Sequence, residues 1–260
     1  MAASSGMCRF DGKSALVTGA GSGIGHAAAI ALAAEGAFVL ATDVNYPTAQ
    51  ATARAIGSGA AAKLDVTDEA DWEAAVQQLL GACGRFDILV NSAGVSAGSP
   101  IAEMLLADWR RVLAVNLDGA FLGTKHAVRA MRLAGGSIVH VSSASGIKAA
   151  GGAAAYSASK AGLGMLAKAA AKECKDAGLA VRVNTVCPAG VKTPMWTTMP
   201  FFRDLVTQLG SEEAAFTSLA ASGGPFAEPA DVVAAILFLA SDESRFVTGI
   251  DLIIDGGYVL

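Results

Sequence analysis

The chain reads as an α/β fold: a doubly wound parallel sheet of about seven strands with helices on both faces. Three observations predict it. Short β-type runs alternate with helix-patterned segments along most of the 260 residues, the order that generates parallel strand–helix–strand units. The first such run leads straight into a glycine-rich loop and a helix. No Pro/Ser-rich linker divides the chain, so residues 1–260 read as one domain, long enough to bury a full core.

Strands are expected at 14–18, 37–42, 61–65, 88–91, 137–142, 181–186 and 252–254, each a short run rich in β-branched or apolar residues. Helices are expected at 24–35, 68–82, 107–131, 155–177 and 229–240, where composition and spacing suit them. The stretch 193–229 differs: it holds Pro194, Pro200, Pro225 and Pro229, bulky apolar residues and no strand signal. A long insertion of that kind reads as a lid or binding segment, with its core at 193–225.

Composition excludes several classes. The net charge is -4 with no basic block, which argues against a nucleic-acid partner. Much of the hydrophobic share of 53% is alanine, and the longest uncharged run, 14–34, is broken by the glycine loop. No membrane span is therefore expected, and the first dozen residues carry no apolar leader core. Cys8, Cys83, Cys174 and Cys187 are scattered, which points to a reduced, cytoplasmic protein. No His, Cys and carboxylate grouping has metal-ligand spacing in the sequence, so no catalytic metal is expected. His26 reads as a helix-surface residue, His126 as packed or exposed on the long helix, and His140 as a sheet residue.

The loop Gly19-Ala-Gly-Ser-Gly-Ile-Gly25 ends the first strand and opens the first helix. Missing side chains let the backbone approach a pyrophosphate, and the helix N-terminus offers free N–H groups and a favourable dipole. The second strand runs into Asp43, eighteen residues after Gly25. A carboxylate there accepts hydrogen bonds from both adenosine ribose hydroxyls and repels a ribose phosphate. Val44, Asn45 and Tyr46 follow it, with no cation among them, so NAD is expected rather than NADP.

Tyr156 and Lys160 lie four apart in a helical segment, which puts them on one face. An ammonium beside a phenol favours the phenolate and lowers its pKa. Ser143 follows the strand at 137–142, at the carboxyl end where open α/β sheets place ligands. A hydroxyl donor beside a tunable phenol suits reversible interconversion of an alcohol and a ketone.

With these in order, the chain resembles the classical short-chain dehydrogenase/reductase family from about residue 10 to residue 257. The motifs that carry the resemblance are Thr18-Gly-Ala-Gly-Ser-Gly-Ile-Gly25, Asn91-Ser-Ala-Gly94, Asn116, Ser143, Tyr156-xxx-Lys160 and the stretch from Pro188 to Thr193. The resemblance implies a Rossmann-like fold and position-by-position roles. Ser143 would steady the substrate oxygen, Tyr156 would exchange its proton, and Lys160 would tune the phenol and hold the nicotinamide ribose. Asn116 would hold a relay water or brace the long helix. Gly19, Ser22, Gly23, Ile24 and Gly25 would cradle phosphate, and Asp43 the ribose. Asp65 and Val66 would meet adenine, while Asn91, Ala93 and Gly94 would shape the groove. Pro188, Val191 and Thr193 would lie at the nicotinamide.

Ser92, Ala189 and His26 depart from the family pattern, and Ala189 puts the local backbone in question, since alanine avoids positive φ. Ser145, Met195, Trp196 and Phe201 are candidate substrate contacts beside Ser143 and Tyr156. Their apolar character suits a cyclic or aromatic secondary alcohol. A 3-oxoacyl-type reductase and a nucleotide-binding scaffold without chemistry remain as other readings. The family also implies a homotetramer that pairs the helices at 107–131 and 155–177 with their copies.

Overall fold

A computed structural model describes residues 8–260; the reading of the opening residues as lacking a leader core falls partly outside the described residues. In chain order the elements are β1 (Ser14–Thr18), α1 (Gly23–Ala34), β2 (Phe38–Asp43), α2 (Tyr46–Ile56), β3 (Gly59–Lys63), α3 (Glu69–Cys83) and β4 (Ile88–Asn91). Then come α4 (Leu106–Leu113), a π-helical turn (Ala114–Asp118), α5 (Gly119–Met131), β5 (Gly136–Val141), a 3-10 turn (Ala144–Gly146) and α6 (Ala154–Asp176). The rest is β6 (Val181–Pro188), β7 (Gly190–Val191), α7 (Pro194–Thr197), α8 (Pro200–Leu209), α9 (Glu212–Gly223), β8 (Phe226–Ala227), α10 (Pro229–Ala240) and β9 (Asp251–Ile254).

Seven strands form one parallel sheet in the order β3-β2-β1-β4-β5-β6-β9. Its five inner strands are buried on both faces, as apolar runs in a covered parallel sheet must be, while the edge strands β3 and β9 are partly exposed. Val17, Val39 and Val139 look towards α1 and α10, packing with Ala28, Leu32, Val232 and Ile236. Leu16, Leu40, Leu89 and Ile138 look the other way, towards Trp72 and Leu79 of α3, Met131 of α5 and Ala167 of α6. The strand order reverses between β1 and β4, and there Thr18 is in register with Asn91. A crevice must open beyond that point, because the connections leave the two strands in opposite directions.

Several sequence expectations are corrected. β3 ends at Lys63, so Asp65 sits in the following turn and not in the strand. α2 is a helix the pattern left unmarked; Pro47 in its first turn pre-sets the backbone dihedral, and Ala49 and Thr52 are its buried residues. The helix expected at 107–131 contains the π-helical turn at Asn116, a form of helix frequent at functional sites. The stretch 193–229 does hold a strand: β8 pairs with β7 in a separate two-stranded ribbon. Two residues are too few to register as a pattern. Between them, α7, α8 and α9 build a small core on Phe202, Ala215 and Phe216. Among the described residues no helix is long and apolar enough to cross a membrane.

Candidate active site

The glycine loop is shaped by close approach. Gly19 has φ 63, and a Cβ there would fall 2.8 Å from the Ala93 Cα. A Cβ at Gly25 would run into the Gly19 carbonyl, so the first turn of α1 can sit against the loop only without a side chain. Ser22, the N-cap, makes no side-chain cap bond, which leaves the first amides of α1, at Gly23 and Ile24, facing the crevice mouth. Asp43 is tied to this loop: its carboxylate accepts from Gly21 N at 3.0 Å and Asn45 N at 2.9 Å. The sheet register adds one cation the chain order conceals, Lys63, directly beside Asp43 on β3.

Thr18 closes the switch point. Its hydroxyl accepts from Ser92 N and Ala93 N, both at 3.1 Å. That bond uses the backbone of residue 92, which explains why serine is tolerated there. Asp65 caps its own turn by accepting from Thr67 N and Thr67 Oγ1, at 2.9 and 2.7 Å. Val66 is buried against Gly119, where a Cβ would be 2.7 Å from Val66 Cγ2. Asn91 is buried, and its amide meets His140 Nδ1 at 3.1 Å, while His140 Nε2 meets Thr124 Oγ1 at 3.3 Å. With Asn91 donating to Nδ1, the ring carries its proton on Nε2. Full burial, with Lys160 nearby, pushes the His140 pKa down to about 3. His140 is thus a neutral brace of the crevice wall, in line with its reading as a sheet residue.

Ser143, Tyr156 and Lys160 come together at the carboxyl end of β5. Ser143 is buried and its hydroxyl accepts from Ser145 N at 3.1 Å. Lys160, 4% exposed, donates from Nζ to the Val141 carbonyl at 2.8 Å and lies 5.6 Å from the Tyr156 ring centroid. Burial pushes its pKa down to about 8. The expectation that Lys160 lowers the Tyr156 pKa is not met. Burial pushes the phenol up, and the opposing pull comes from its bond with the Ser143 hydroxyl. Desolvation is the larger influence at Tyr156, and the Lys160 ammonium is held on a strand carbonyl.

Asn116 braces this triad from the π-helical turn. Its Oδ1 accepts from Val95 N at 2.8 Å, and its Nδ2 donates to Val95 O at 2.9 Å and Ser159 Oγ at 3.0 Å. These bonds tie the π-helical turn to the Val95 backbone and to α6. Gly94 lies over both groups: a Cβ there would be 3.4 Å from Asn116 Oδ1 and 3.6 Å from Lys160 Nζ.

Thr193 reaches the glycine loop from the opposite side, with Cγ2 3.2 Å from where a Cβ of Gly23 would be. Pro188 ends β6 and Val191 is held in β7. Ala189 donates to the Ile254 carbonyl at 3.1 Å, and no described non-glycine residue has positive φ, so alanine is unstrained there. Of the substrate candidates, Ser145 and Met195 are half-buried and Phe201 is exposed. Trp196 packs edge-on against Phe226 at 5.1 Å, part of the apolar cluster of the 193–225 segment itself.

Some residues were not singled out. Ser142 is buried and donates to the Lys160 carbonyl at 2.9 Å, and Ser159 donates to the Tyr156 carbonyl at 2.7 Å. Ser142 fixes α6 against the site, while the Ser159 bond stays within α6; their signal was only adjacency to Ser143 and Lys160. Lys192 pairs with Glu213 at 3.2 Å and Glu228 at 3.0 Å, pinning the 193–225 segment at both ends. His26 is not a plain surface residue; it is half-buried and its Nδ1 meets Thr52 Oγ1 at 2.8 Å, joining α1 to α2. Away from the crevice, the fold gathers Glu69, Glu73 and His126, with ligand-type atoms within 4.8 Å of one another. The chain order gave no such grouping. Glu69 there already accepts from Lys125 at 2.5 Å, which supplies the balancing charge.

A family model described as Enoyl-(Acyl carrier protein) reductase matches residues 19–259. The chain is 40% identical to a D-threitol dehydrogenase of Mycolicibacterium smegmatis, over 97% of this chain and 95% of that protein. It is 38% identical to a 3-alpha-(or 20-beta)-hydroxysteroid dehydrogenase of Mycobacterium tuberculosis, over 96% and 91%. It is 34% identical to an NADP-dependent (R)-specific alcohol dehydrogenase of Lentilactobacillus kefiri, over 96% and 98%.

Proposed function

The chain belongs to the short-chain dehydrogenase/reductase family, and on that premise we propose that this oxidoreductase interconverts a hydrophobic secondary alcohol and its ketone, using NAD. The observation that carries the reading is the convergence of Ser143, Tyr156 and Lys160 at the sheet's carboxyl end, beside the glycine loop. The residues present fit a nicotinamide dinucleotide: the cradle at Gly19 and Gly25 tolerates no Cβ, and the α1 amides stand uncapped. When bound, that cofactor supplies the hydride chemistry.

The chain's own residues handle the rest. The Ser143 hydroxyl orients the substrate oxygen. Tyr156 gives its proton to that oxygen in reduction and takes it back in oxidation. Lys160, held by Val141, places a cation under Gly94, where the nicotinamide ribose would lie. Asn116 keeps α6 in place through Ser159. Gly19, Ser22, Gly23, Ile24 and Gly25 bind phosphate, Asp43 the ribose, and Asp65 and Val66 the adenine. Asn91, Ala93 and Gly94 form the groove wall, and Pro188, Val191 and Thr193 its far side.

The 193–225 segment serves as lid, with Met195, Trp196 and Phe201 as its apolar face. A hydroxysteroid-type substrate suits that face; the D-threitol relative marks the competing polar class. A 3-oxoacyl-type reductase would use the same three residues and is the second reading; the description of the matching family model shares with it an acyl-carrier substrate, though not the ketone. We also propose a cytoplasmic homotetramer formed through α4, α5 and α6, where Leu106, Phe121 and Met165 are exposed.

The experiment is turnover of a panel of cyclic secondary alcohols, polyols and 3-oxoacyl thioesters with NAD and NADP, read at the absorbance of the reduced cofactor. Preference for cyclic alcohols with NAD is the expected result; preference for polyols or acyl thioesters overturns the substrate class.

A further inference from the structure

The last residues of the chain form a seat between the two segments that flank the candidate substrate site. After β9, the Asp255 carboxylate accepts from Gly257 N and Val259 N, both at 2.8 Å, and the Asp255 carbonyl accepts from Tyr258 N at 3.1 Å. These bonds fix a tight turn and hold Tyr258 in one place. On one side of it stands Lys148, in the loop that runs on from Ser143. Its ammonium donates to the Tyr258 carbonyl at 2.7 Å and lies 4.6 Å from the ring centroid. On the other side the ring lies against Gly224, where the lid segment leaves α9. Gly224 has φ +86, and a Cβ there would fall 2.5 Å from Tyr258 Cδ2. The next residue, Pro225, packs on the same turn, with Cγ 2.8 Å from where a Cβ of Gly256 would be.

We propose that Tyr258 is a positioning residue for the substrate. Its turn couples the returning end of the lid to the Ser143 loop, so that the apolar face and the hydroxyl face of the pocket keep a fixed spacing. The residue touches no reacting group. Its ring and its main-chain carbonyl make the contacts, so phenylalanine should replace it and alanine should not. The inference rests on the reading that substrate lies between the lid and Ser143.

The test compares wild type with Tyr258→Phe, Tyr258→Ala, Gly224→Ala and Lys148→Ala in the full chain. Lys148 is exposed, so its variant folds even where the others are damaged. Hydrogen exchange of peptides covering 212–225, with no ligand added, should quicken at least fivefold in Tyr258→Ala and Gly224→Ala. It should quicken measurably in Lys148→Ala and stay at the wild-type rate in Tyr258→Phe, with α1 peptides unchanged throughout. With a working secondary alcohol, Tyr258→Ala should raise the alcohol KM at least fivefold, with kcat and cofactor KM within twofold of wild type, and Tyr258→Phe should restore it. Unchanged exchange in Tyr258→Ala and Lys148→Ala overturns the seat whatever the substrate is. Faster exchange with an unchanged alcohol KM overturns the substrate role. A wild type that turns over no secondary alcohol defeats the functional reading instead, and the exchange arm still decides the seat.

Discussion

Asn116 donates its side-chain amide to Ser159 Oγ across 3.0 Å, and Ser159 in turn donates to the Tyr156 carbonyl. One hydrogen-bonded path thus joins the π-helical turn to the helix that carries Tyr156 and Lys160. Asn116→Ala cuts it and strands the Val95 N–H and carbonyl, each unsatisfied group costing roughly 1–3 kcal/mol. We expect kcat/KM to fall at least tenfold, with a lower melting temperature and cofactor affinity within threefold of wild type. A variant with wild-type kcat/KM would show that α6 needs no such brace.

Tyr156→Phe should abolish turnover and leave dinucleotide binding intact. Tyr156 sits beside Lys160 on α6, whereas the glycine loop and Asp43 are held by bonds that do not involve it. Binding titrations together with turnover assays check this. Retention of more than a few per cent of the rate would remove Tyr156 from the proton path.

The sheet was legible because Val17, Leu40, Val90 and Val139 sit in runs that only a covered parallel strand explains. The glycine loop was legible because its spacing has one backbone solution. Three kinds of feature were not. β7 and β8 are two-residue strands whose pairing spans 35 residues of chain or more, beyond any local pattern. The His140–Asn91 and Asn116–Ser159 bonds join residues far apart in sequence. And the Tyr156 pKa depends on a contest between burial and neighbours: chain spacing placed Lys160 beside the phenol but not the Val141 carbonyl that takes its ammonium.

Lys160→Met should end turnover without lowering the melting temperature. The folded-state pKa of Lys160, about 8, lies below its ordinary 10.5. Between those values the unfolded chain holds the proton and the folded one releases it, so stability rises with pH through that window. Below pH 8 both states are charged and the full burial cost stands, about 3 kcal/mol for the shift of the size given. Methionine removes that cost and keeps the volume. Thermal melts at pH 7 read it out; a melting temperature several degrees lower would mean that the Val141 bond outweighs the buried charge.

His140 should make the fold acid-sensitive. Its folded-state pKa is about 3, against an ordinary 6.5. As pH falls below 6.5 the unfolded chain takes up a proton that the folded chain refuses until about 3, so stability is lost across that window, on the order of 4–5 kcal/mol in all. His140→Gln keeps a hydrogen-bonding side chain and removes the titration. Urea unfolding at pH 7.5 and pH 4.5 should show a loss smaller by about 2–3 kcal/mol in the variant. Equal losses in both proteins would place the acid sensitivity elsewhere.

Cofactor choice turns on Asp43. Its carboxylate is aimed by Gly21 N and Asn45 N, so it is fixed before any ribose arrives. Ribose hydroxyls can donate to it, and bonds to a charged acceptor are worth roughly 1.5–3 kcal/mol each. A ribose phosphate would instead meet an anion, with no cation at Ser22 or Val44 to offset it. Lys63, in register on β3, is the cation that could weaken the discrimination. A penalty of about 3 kcal/mol corresponds to a preference of at least a hundredfold for NAD. Asp43→Ser with Val44→Arg should reverse it, and Lys63→Ala in the wild-type background should sharpen it or leave it unchanged. The measurement is kcat/KM for both cofactors with one working alcohol. Parity, or an NADP preference in the wild type, would reassign Asp43 from ribose recognition to holding the glycine loop, and would make Lys63 the first residue to examine as a phosphate partner.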